Sequence, residues 1–255
     1  MKILFVYSNK TCGCTKKYTF ELARGMKKYV NTKVIYYTEL TSDIVKEFDV
    51  IILQRLGTIT IIDKDEVNNI IDIIEKNKNI KKFIYIMDDL VLESQNGLPI
   101  KFISHCTDVL CTSKTLAKYI RKYNDNVHVF HTFIDVESFD NIPENKSEKF
   151  TLVWASTGAL GSNIIEGIVE SKEAFKFDFD LIVIGGMYGQ FRNEKWIKSY
   201  PILKEDEMIK LIKSADILLN PLTLSEKNIE AIKYRCKEPL NDFLNSKSEV
   251  KYTIA

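Results

Sequence analysis

The sequence lacks a large net charge of either sign and a long apolar run. Lys and Arg number 36 and Asp and Glu number 35, which leaves a formal net charge of +1. Without a field spread over the whole molecule to attract nucleic acid or an anionic membrane, any anionic ligand must be bound by local groups. The opening apolar run, residues 3–7, is too short for a signal peptide or a spanning helix. We therefore expect a cytoplasmic protein, with a peripheral contact at the inner face of the membrane left open.

Two nucleotide-binding motifs are also missing. The turn after the first apolar run has no G-x-G-x-x-G, which argues against a dinucleotide-dependent oxidoreductase or a nucleotide-sugar epimerase. No G-x-x-x-x-G-K-[ST] is present either, which excludes a P-loop kinase or ATPase at the level of motifs. The sequence therefore predicts neither a bound dinucleotide cofactor nor a P-loop nucleotide site.

The cysteines and histidines do not have the spacing of a metal site. Cys12 and Cys14 are spaced C-x-C, without a further Cys or His nearby, so a flexible loop is favoured over a metal or redox pair. The five cysteines are expected to be free thiols, with Cys106 and Cys111 in the core. We predict no metal ion and no cofactor.

The chain contains short β-branched runs that alternate with amphipathic stretches, within a composition of 45% hydrophobic and 28% charged residues. This alternation predicts parallel sheets covered by helices on both faces. The predicted strands are residues 3–7, 33–37, 50–53, 83–87, 109–111, 127–130, 151–155, 181–184 and 217–219, with a short extended piece at 196–200. The predicted helices are residues 18–29, 64–76, 113–123 and 205–213, with another after Gly161.

A polar stretch at residues 137–149 interrupts the alternation and indicates a linker. The predicted organisation is a Rossmann-like domain at residues 1–140, a linker at 141–150 and a second Rossmann-like domain at 151–255. The second domain is expected to be incomplete, because residues 247–255 resemble the start of a helix that nothing terminates.

Candidate site residues follow the predicted strands. Asp88 and Asp89 end one strand, and their carboxylates could serve as a general base or hold a substrate hydroxyl; the alternative is an N-cap for a following helix. The small residues 156–163 could expose backbone N–H groups to a phosphate, or form an ordinary strand-to-helix turn. Gly186 has the same two interpretations. The D-x-D pairs at Asp63 and Asp178 are interpreted as solvated caps, not metal ligands.

Taken in order, these segments resemble the GT-B fold glycosyltransferases, specifically the retaining, sugar-nucleotide-dependent class of bacterial polysaccharide synthesis. The resemblance covers nearly the whole chain. It depends on MKILFV, IILQR, YIMDDL, DVLCTSKTLAKYI, VFHTFID, LIVIGG, WIKSYP, SADILLNPL and KSEVKY.

The resemblance implies two Rossmann-like β/α/β domains that face a cleft, and a metal-independent hexosyltransferase acting on a nucleoside diphosphate sugar and a glycan or lipid-linked glycan. Asp88 and Asp89 would be catalytic, and Gly13, Tyr18 and Arg55 would lie on the acceptor side. The implied donor-binding residues are Gly158, Gly161, Ser162, Gly186, Tyr200, Pro201, Pro221, Ser248 and Lys251.

One departure from the family favours a second hypothesis. Residues 156–171 contain neither Arg nor Lys, although the family holds the diphosphate with such cations near this turn; Lys172 is the nearest. A non-catalytic or truncated protein that binds nucleotide or glycan is therefore the alternative to the enzyme.

Overall fold

The computed structural model describes residues 1–10, 12–58, 60–130, 140–156, 161–187, 189–191, 194–221 and 226–246. The chain divides into two compact units. The first unit comprises Met1–Thr132 and Lys233–Ser248, and the second comprises Phe133–Ile232 and Glu249–Ala255. Each unit is built on its own parallel sheet.

The first unit contains a six-stranded parallel sheet with the strand order β2-β1-β3-β4-β5-β6. Its central strands are buried on both faces, which is why they appear in the sequence as continuous apolar runs. The strands are β1 (Lys2–Tyr7), β2 (Asn31–Tyr36), β3 (Val50–Gln54), β4 (Lys82–Met87), β5 (Asp108–Cys111) and β6 (Val127–Val129). All six predicted strands of this half are confirmed.

The helices of the first unit connect these strands. Helix α1 has three consecutive segments, Gly13–Thr15, Lys16–Glu21 and Leu22–Met26, and the middle segment has π-helical hydrogen bonding. The others are α2 (Ser42–Lys46), α3 (Lys64–Asn77), α4 (Ser94–His105) and α5 (Lys114–Ile120), with a short 3₁₀ helix at Tyr37–Glu39. The predicted N-cap of α5 is confirmed, because Ser113 Oγ accepts a hydrogen bond of 3.1 Å from the Leu116 N–H.

The second unit contains a four-stranded parallel sheet with the order β10-β7-β8-β9. Its strands are β7 (Thr151–Ser156), β8 (Asp180–Gly185), β9 (Ile197–Tyr200) and β10 (Ile217–Leu219). Three of them were predicted as strands, and β9 was predicted as a short extended piece. Its helices are α6 (Ser162–Glu170), α7 (Glu205–Ser214) and α8 (Glu226–Lys233), with a 3₁₀ helix at Lys172–Ala174.

The core of the second unit has two layers, one on each face of its sheet. Trp154 and Leu181 belong to one buried cluster, and their chain neighbours Val153 and Ile182 belong to the other. Successive side chains of a strand point to opposite faces, so both faces of this sheet are apolar and covered.

The segment after residue 232 differs from the prediction, which placed it in the second domain. Helix α9 (Leu240–Asn245) packs on the first unit, where the Asp242 carboxylate accepts a hydrogen bond from the Tyr119 hydroxyl. Lys122 Nζ also lies 3.2 Å from Glu238 Oε1. The segment thus returns to the first unit through polar contacts, while the predicted bounds near 140 and 150 stay a prediction.

Candidate functional site

Three neighbouring strands of the first unit end at one edge of their sheet. Because β1, β3 and β4 are adjacent and parallel, the residues that follow them lie side by side. This carboxyl edge is where open α/β sheets bind ligands. The residues brought together there, called the Arg55 cluster below, are Cys12, Cys14, Arg55, Asp88 and Asp89.

Arg55 occupies the centre of the cluster in an uncommon backbone conformation. Its φ angle is +48°, a left-handed value that L-residues other than Asn and Asp rarely adopt. The Arg55 N–H donates to the Ile86 carbonyl at 3.1 Å, and its Nε donates to Thr58 Oγ1 at 3.2 Å. These bonds hold the strained residue in place and direct the guanidinium along the edge of the sheet.

The guanidinium of Arg55 bridges both predicted catalytic carboxylates. Its Nη1 lies 2.8 Å from Asp88 Oδ1 and 3.2 Å from Asp89 Oδ2. Burial by itself lowers the pKa of Arg55, but the carboxylates of Asp88 and Asp89 raise the pKa well above its ordinary value, so the residue stays charged. Arg55 and Asp88 are 5% and 4% exposed, whereas Asp89 is 22% exposed, so Asp89 is the carboxylate that solvent or a ligand can reach.

The alternative interpretation of the two aspartates, a helix N-cap, is not observed. The following helix α4 begins at Ser94, and its N-cap residue is Glu93, whose side chain makes no capping bond. Asp89 contributes its backbone carbonyl to a turn by accepting a hydrogen bond of 3.0 Å from the Val91 N–H. Both side chains are directed to Arg55 instead.

The loop after β1 contributes two thiols to the cluster. Cys14 Sγ lies 3.1 Å from Arg55 Nη1. A hydrogen bond with Cys14 lowers the pKa of Cys12 to about 6 against the effect of burial, with Arg55 lowering it further. The same hydrogen bond, followed by burial, raises the pKa of Cys14. The preference for a plain loop therefore missed this contact, because the neighbouring strand that carries Arg55 is distant in sequence.

The predicted acceptor-side residues lie around the same edge but differ in accessibility. Gly13 begins α1, and a Cβ atom added there would have no heavy atom within 4 Å, so open space lies beside it. Tyr18 is 1% exposed, and its ring packs edge-on against Phe130 at a centroid distance of 5.7 Å. Tyr18 is thus a core residue of the first unit, and its acceptor contact stays a prediction.

Arg235 joins this region from the returning segment and was not predicted. Its Nη2 donates to the Thr58 carbonyl at 3.0 Å, and its Nε donates to Ser94 Oγ at 3.2 Å. Burial lowers the pKa of Arg235, as does repulsion from Arg55. No local sequence signal could have identified it, because a single Arg in a polar segment has no periodicity.

In the second unit, the predicted donor-side residues lie at the carboxyl edge of its sheet. Gly161 has a φ of +81° and precedes α6, and an added Cβ would overlap the ring of Pro221 beyond β10. Gly186 follows β8, and its N–H donates to the Ser156 carbonyl at 2.6 Å. The remaining described members are Ser162 at the first position of α6, Tyr200 at the end of β9, and Pro201. Gly158, Ser248 and Lys251 lie outside the described residues.

Lys172 does not lie near this edge. It follows the C-terminus of α6, at the opposite end of that helix from Gly161. Its Nζ bonds Asp178 Oδ1 and the Phe179 carbonyl, each at 3.0 Å, and lies 3.7 Å from the centroid of the Phe179 ring. The first cation that follows the glycine turn in the sequence is therefore committed to a structural role.

Both D-x-D pairs have structural roles. Asp63 Oδ1 accepts a hydrogen bond of 2.8 Å from the Asp65 N–H, which confirms the predicted cap. Asp178 pairs with Lys149 and Lys172 at 2.8 and 3.0 Å, so it is an ion-paired residue and not only a solvated cap. Among the described residues, no group of three or more His, Cys, Asp or Glu side chains has the geometry to hold a metal ion.

Comparison with known proteins identifies the fold. No family model and no curated sequence matches the chain. An alpha-glucosyltransferase in complex with UDP and a 13-mer DNA containing an A:G mismatch superposes with a TM-score of 0.66 at 13% identity, covering 89% of this chain and 73% of that one. Anabaena HepE in complex with UDP and glucose gives a TM-score of 0.56 at 11% identity, covering 100% and 94%. The chain has the GT-B fold.

The GT-B fold is not restricted to transferases. A putative UDP-N-acetylglucosamine 2-epimerase from Listeria monocytogenes superposes with a TM-score of 0.51 at 8% identity, covering 85% of this chain and 73% of that one. At such identities the likeness establishes the fold, so the function of this GT-B protein must be argued from its site. Within the described residues, no helix has both the length and the apolar character needed to cross a bilayer.

Proposed function

We propose that this protein is a glycosyltransferase that moves a sugar from a nucleoside diphosphate sugar to a glycan or lipid-linked glycan, without a metal ion. The observation that carries the proposal is the pair of carboxylates, Asp88 and Asp89, held on the buried guanidinium of Arg55 at the edge where such sheets bind ligands. The proteins of the same fold that are solved with UDP, or with UDP and glucose, support a nucleotide-sugar donor.

The first unit would receive the acceptor. Asp89, as the more exposed carboxylate, would accept a hydrogen bond from a hydroxyl of the acceptor or of the transferred sugar. Asp88 is nearly inaccessible and would act with Arg55 to hold Asp89 in place. Gly13 and the open space beside it would let a ligand approach the backbone of α1 closely.

The second unit would bind the donor. Its helix α6 directs the first N–H groups, from Gly161 and Ser162 onward, toward the carboxyl edge of the sheet, and the helix dipole favours an anion there. These donors would stabilise the charge that develops on the departing diphosphate. Gly158, Ser248 and Lys251 enter this proposal through the family resemblance alone, as do Gly186, Tyr200, Pro201 and Pro221 in their contacts with the nucleotide.

The setting in bacterial polysaccharide synthesis is carried over from the resemblance in the same way. A location in the cytoplasm, with a peripheral contact at the inner face of the membrane, is part of the same proposal but does not come from the resemblance. No nucleic acid partner is part of the proposal, since the net charge is only +1.

A second candidate function is a protein that binds nucleotide or glycan without turnover. The specific observation in its favour is the position of Lys172, which is occupied by Asp178 and an aromatic face at the far end of α6. Because residues 156–171 contain no Lys or Arg, the diphosphate would have few cations to stabilise it in the transition state.

Two measurements separate these functions. A thermal-shift panel of nucleoside diphosphates, with and without Mn²⁺, should show stabilisation by one diphosphate in both conditions. Sugar transfer or donor hydrolysis should then be measured in the parent, in Asp89→Asn and in Asp65→Asn. We expect Asp89→Asn to lower kcat by roughly 10²- to 10⁴-fold, and Asp65→Asn, on the exposed start of α3, to match the parent.

Each function has its own outcome in these measurements. Diphosphate binding without turnover under any condition would favour the binding protein. A diphosphate response that appears only with Mn²⁺ would overturn metal independence. No response to any nucleotide would exclude a nucleotide-dependent function altogether.

A further inference from the structure

The thiols of Cys12 and Cys14 have no part in the proposed transfer reaction. Cys12 is the residue before α1, with an extended backbone at φ −71° and ψ 130°, and its N–H donates to Asn9 Oδ1 at 3.2 Å. Cys14 lies in the first turn of the same helix. Both side chains are partly exposed free thiols, so solvent reaches this end of the helix.

One cation, the guanidinium of Arg55, lies beside the pair, and it also contacts the carboxylates of Asp88 and Asp89. Cys14 Sγ lies 3.1 Å from the Nη1 atom of Arg55, a guanidinium that stays protonated throughout the physiological range. Thiolates are favoured beside such a cation and near the start of a helix. The lowered pKa of Cys12 agrees with this placement, since its causes include the hydrogen bond with Cys14, the charge of Arg55 and a backbone N–H.

We propose that Cys12 is a modification site that reacts with peroxides, and that Cys14 is the resolving thiol that converts the product to a Cys12–Cys14 disulfide. Residues two positions apart cannot be more than about 7 Å apart between Cα atoms, close to the range of about 4.4–6.8 Å that disulfides span. Gly13 between them lacks a side chain and has open space beside it, which allows the backbone to close the small ring.

The reaction has two balanced steps. The Cys12 thiolate attacks one oxygen of hydrogen peroxide, the O–O bond breaks and hydroxide leaves, so that the sulfur is oxidised by two electrons to a sulfenic acid and the peroxide is reduced. The Cys14 sulfur then attacks the Cys12 sulfur, the S–O bond breaks, and the hydroxyl leaves as water with the Cys14 proton.

Cys14 becomes a better nucleophile after Cys12 has been oxidised than it was before. The largest cause of its raised pKa is the hydrogen bond with Cys12, and a neutral sulfenic acid no longer attracts that proton as a thiolate does. Burial and the charges of Asp88 and Asp89 continue to raise the pKa of Cys14. The disulfide would also remove a thiol from contact with Arg55, which connects the oxidation state of the pair to the cluster that holds Asp88 and Asp89.

The remaining cysteines provide an internal control. Cys106, Cys111 and Cys236 are all buried and form no disulfide. Burial raises the pKa of Cys106, and burial also raises the pKa of Cys111 to about 11. The thiols of Cys106 and Cys111 are therefore protonated at neutral pH and react slowly with peroxides and alkylating agents.

The test uses the full chain, reduced and then exposed to hydrogen peroxide. Peptide mapping should show the peptide that contains residues 12–14 lighter by two hydrogen atoms, while the peptides with Cys106, Cys111 and Cys236 keep free thiols. Alkylation of the untreated chain should be roughly tenfold faster at Cys12 than at Cys106 at neutral pH, with a pH midpoint of about 6.

Two variants assign the roles. Cys14→Ser should accumulate a sulfenic acid at Cys12 that a dimedone probe captures, and Cys12→Ser should give neither the adduct nor the disulfide. The proposal is overturned if peroxide leaves residues 12–14 reduced, if another cysteine reacts first, or if Cys12 alkylates with the pH midpoint of an ordinary thiol. These readouts do not involve sugar transfer, so they stand or fail independently of the proposed function.

Discussion

Arg55 Nη1 and Asp88 Oδ1 lie 2.8 Å apart, and both side chains are almost completely buried. Two ions withdrawn from water stay charged only because each compensates the other. Asp89 adds a second carboxylate at 3.2 Å from the same nitrogen, so two acids share a single guanidinium. The cluster therefore depends on Arg55 more than on either aspartate.

Replacing Arg55 with Ala should lower the free energy of unfolding by about 3–5 kcal/mol, because Asp88 would be left buried without its cation. Urea unfolding followed by circular dichroism measures this. Arg55→Lys should recover part of the loss, since one ammonium restores the charge but not the contact from Nε to Thr58. Lys27→Ala, at an exposed position, should change stability by less than about 0.5 kcal/mol. If Arg55→Ala had the same free energy of unfolding as the parent, the buried ion pair with Asp88 would be contradicted.

Replacing the glycine before α6 and the glycine in the middle of α6 with alanine should change the stability of the second unit in opposite directions. Gly161→Ala should destabilise the second unit by roughly 1–3 kcal/mol, because φ is +81° there and the new Cβ would meet Pro221. Gly167→Ala should stabilise it by up to about 1 kcal/mol, since that position is helical with open space. Thermal unfolding of the matched pair measures both signs, and equal shifts would refute the assigned conformations.

The carboxyl group of Asp178 should titrate at unusually low pH. Hydrogen bonds with Lys149 and then Lys172 lower its pKa from 3.8 to about 2. Because the folded-state pKa is depressed, the stabilisation is present above pH 3.8 and is lost as the pH falls through about 2. Lys149→Met should raise the pKa toward its ordinary value, as measured by carbon-detected NMR. Lys176→Met, at an exposed neighbouring position, should leave the pKa unchanged.

Arg235 should hold the returning segment on the first unit. Arg235→Ala removes the bonds to the Thr58 carbonyl and Ser94 Oγ, so amide hydrogen exchange in α9 and the residues before it should accelerate. Lys237→Ala is the matched control, because its side chain is exposed and only its backbone N–H bonds Glu93. Unchanged exchange in Arg235→Ala would show that the other contacts, such as Tyr119 with Asp242, suffice.

Local patterns accounted for most of the secondary structure. Nine of the ten described strands were predicted as strands, and β9 was predicted as a short extended piece. The central strands β1, β3 and β4 are buried on both faces and have the apolar runs that such strands need. Helices α2, α4, α8 and α9 were not predicted. In α4 the reason is visible, since Gln95, Asn96 and Gly97 have left-handed backbone angles and Pro99 follows. Such a segment has no regular apolar period to recognise.

The candidate site was predictable only in part. Asp88 and Asp89 could be selected from the sequence, because carboxylates at the end of a buried strand require a partner or solvent. Their partner Arg55 was placed on the acceptor side only through the family resemblance, and its bridging of both acids was not foreseen. The contact between Cys14 and Arg55 joins residues 41 positions apart. Arg235 is still more remote, since it reaches Thr58 from 177 residues away.

The sequence by itself determined that the chain forms two parallel α/β sheets in series, because hydrophobic periodicity and strand-ending turns are local properties that each segment carries alone. Only the tertiary structure decided which strand ends are neighbours, and so which charges meet. The order β1-β3-β4 places Cys14, Arg55 and Asp88 together, and the return of residues 233–246 adds Arg235. Electrostatic contacts depend on distance in space, and no periodicity along the chain records that distance.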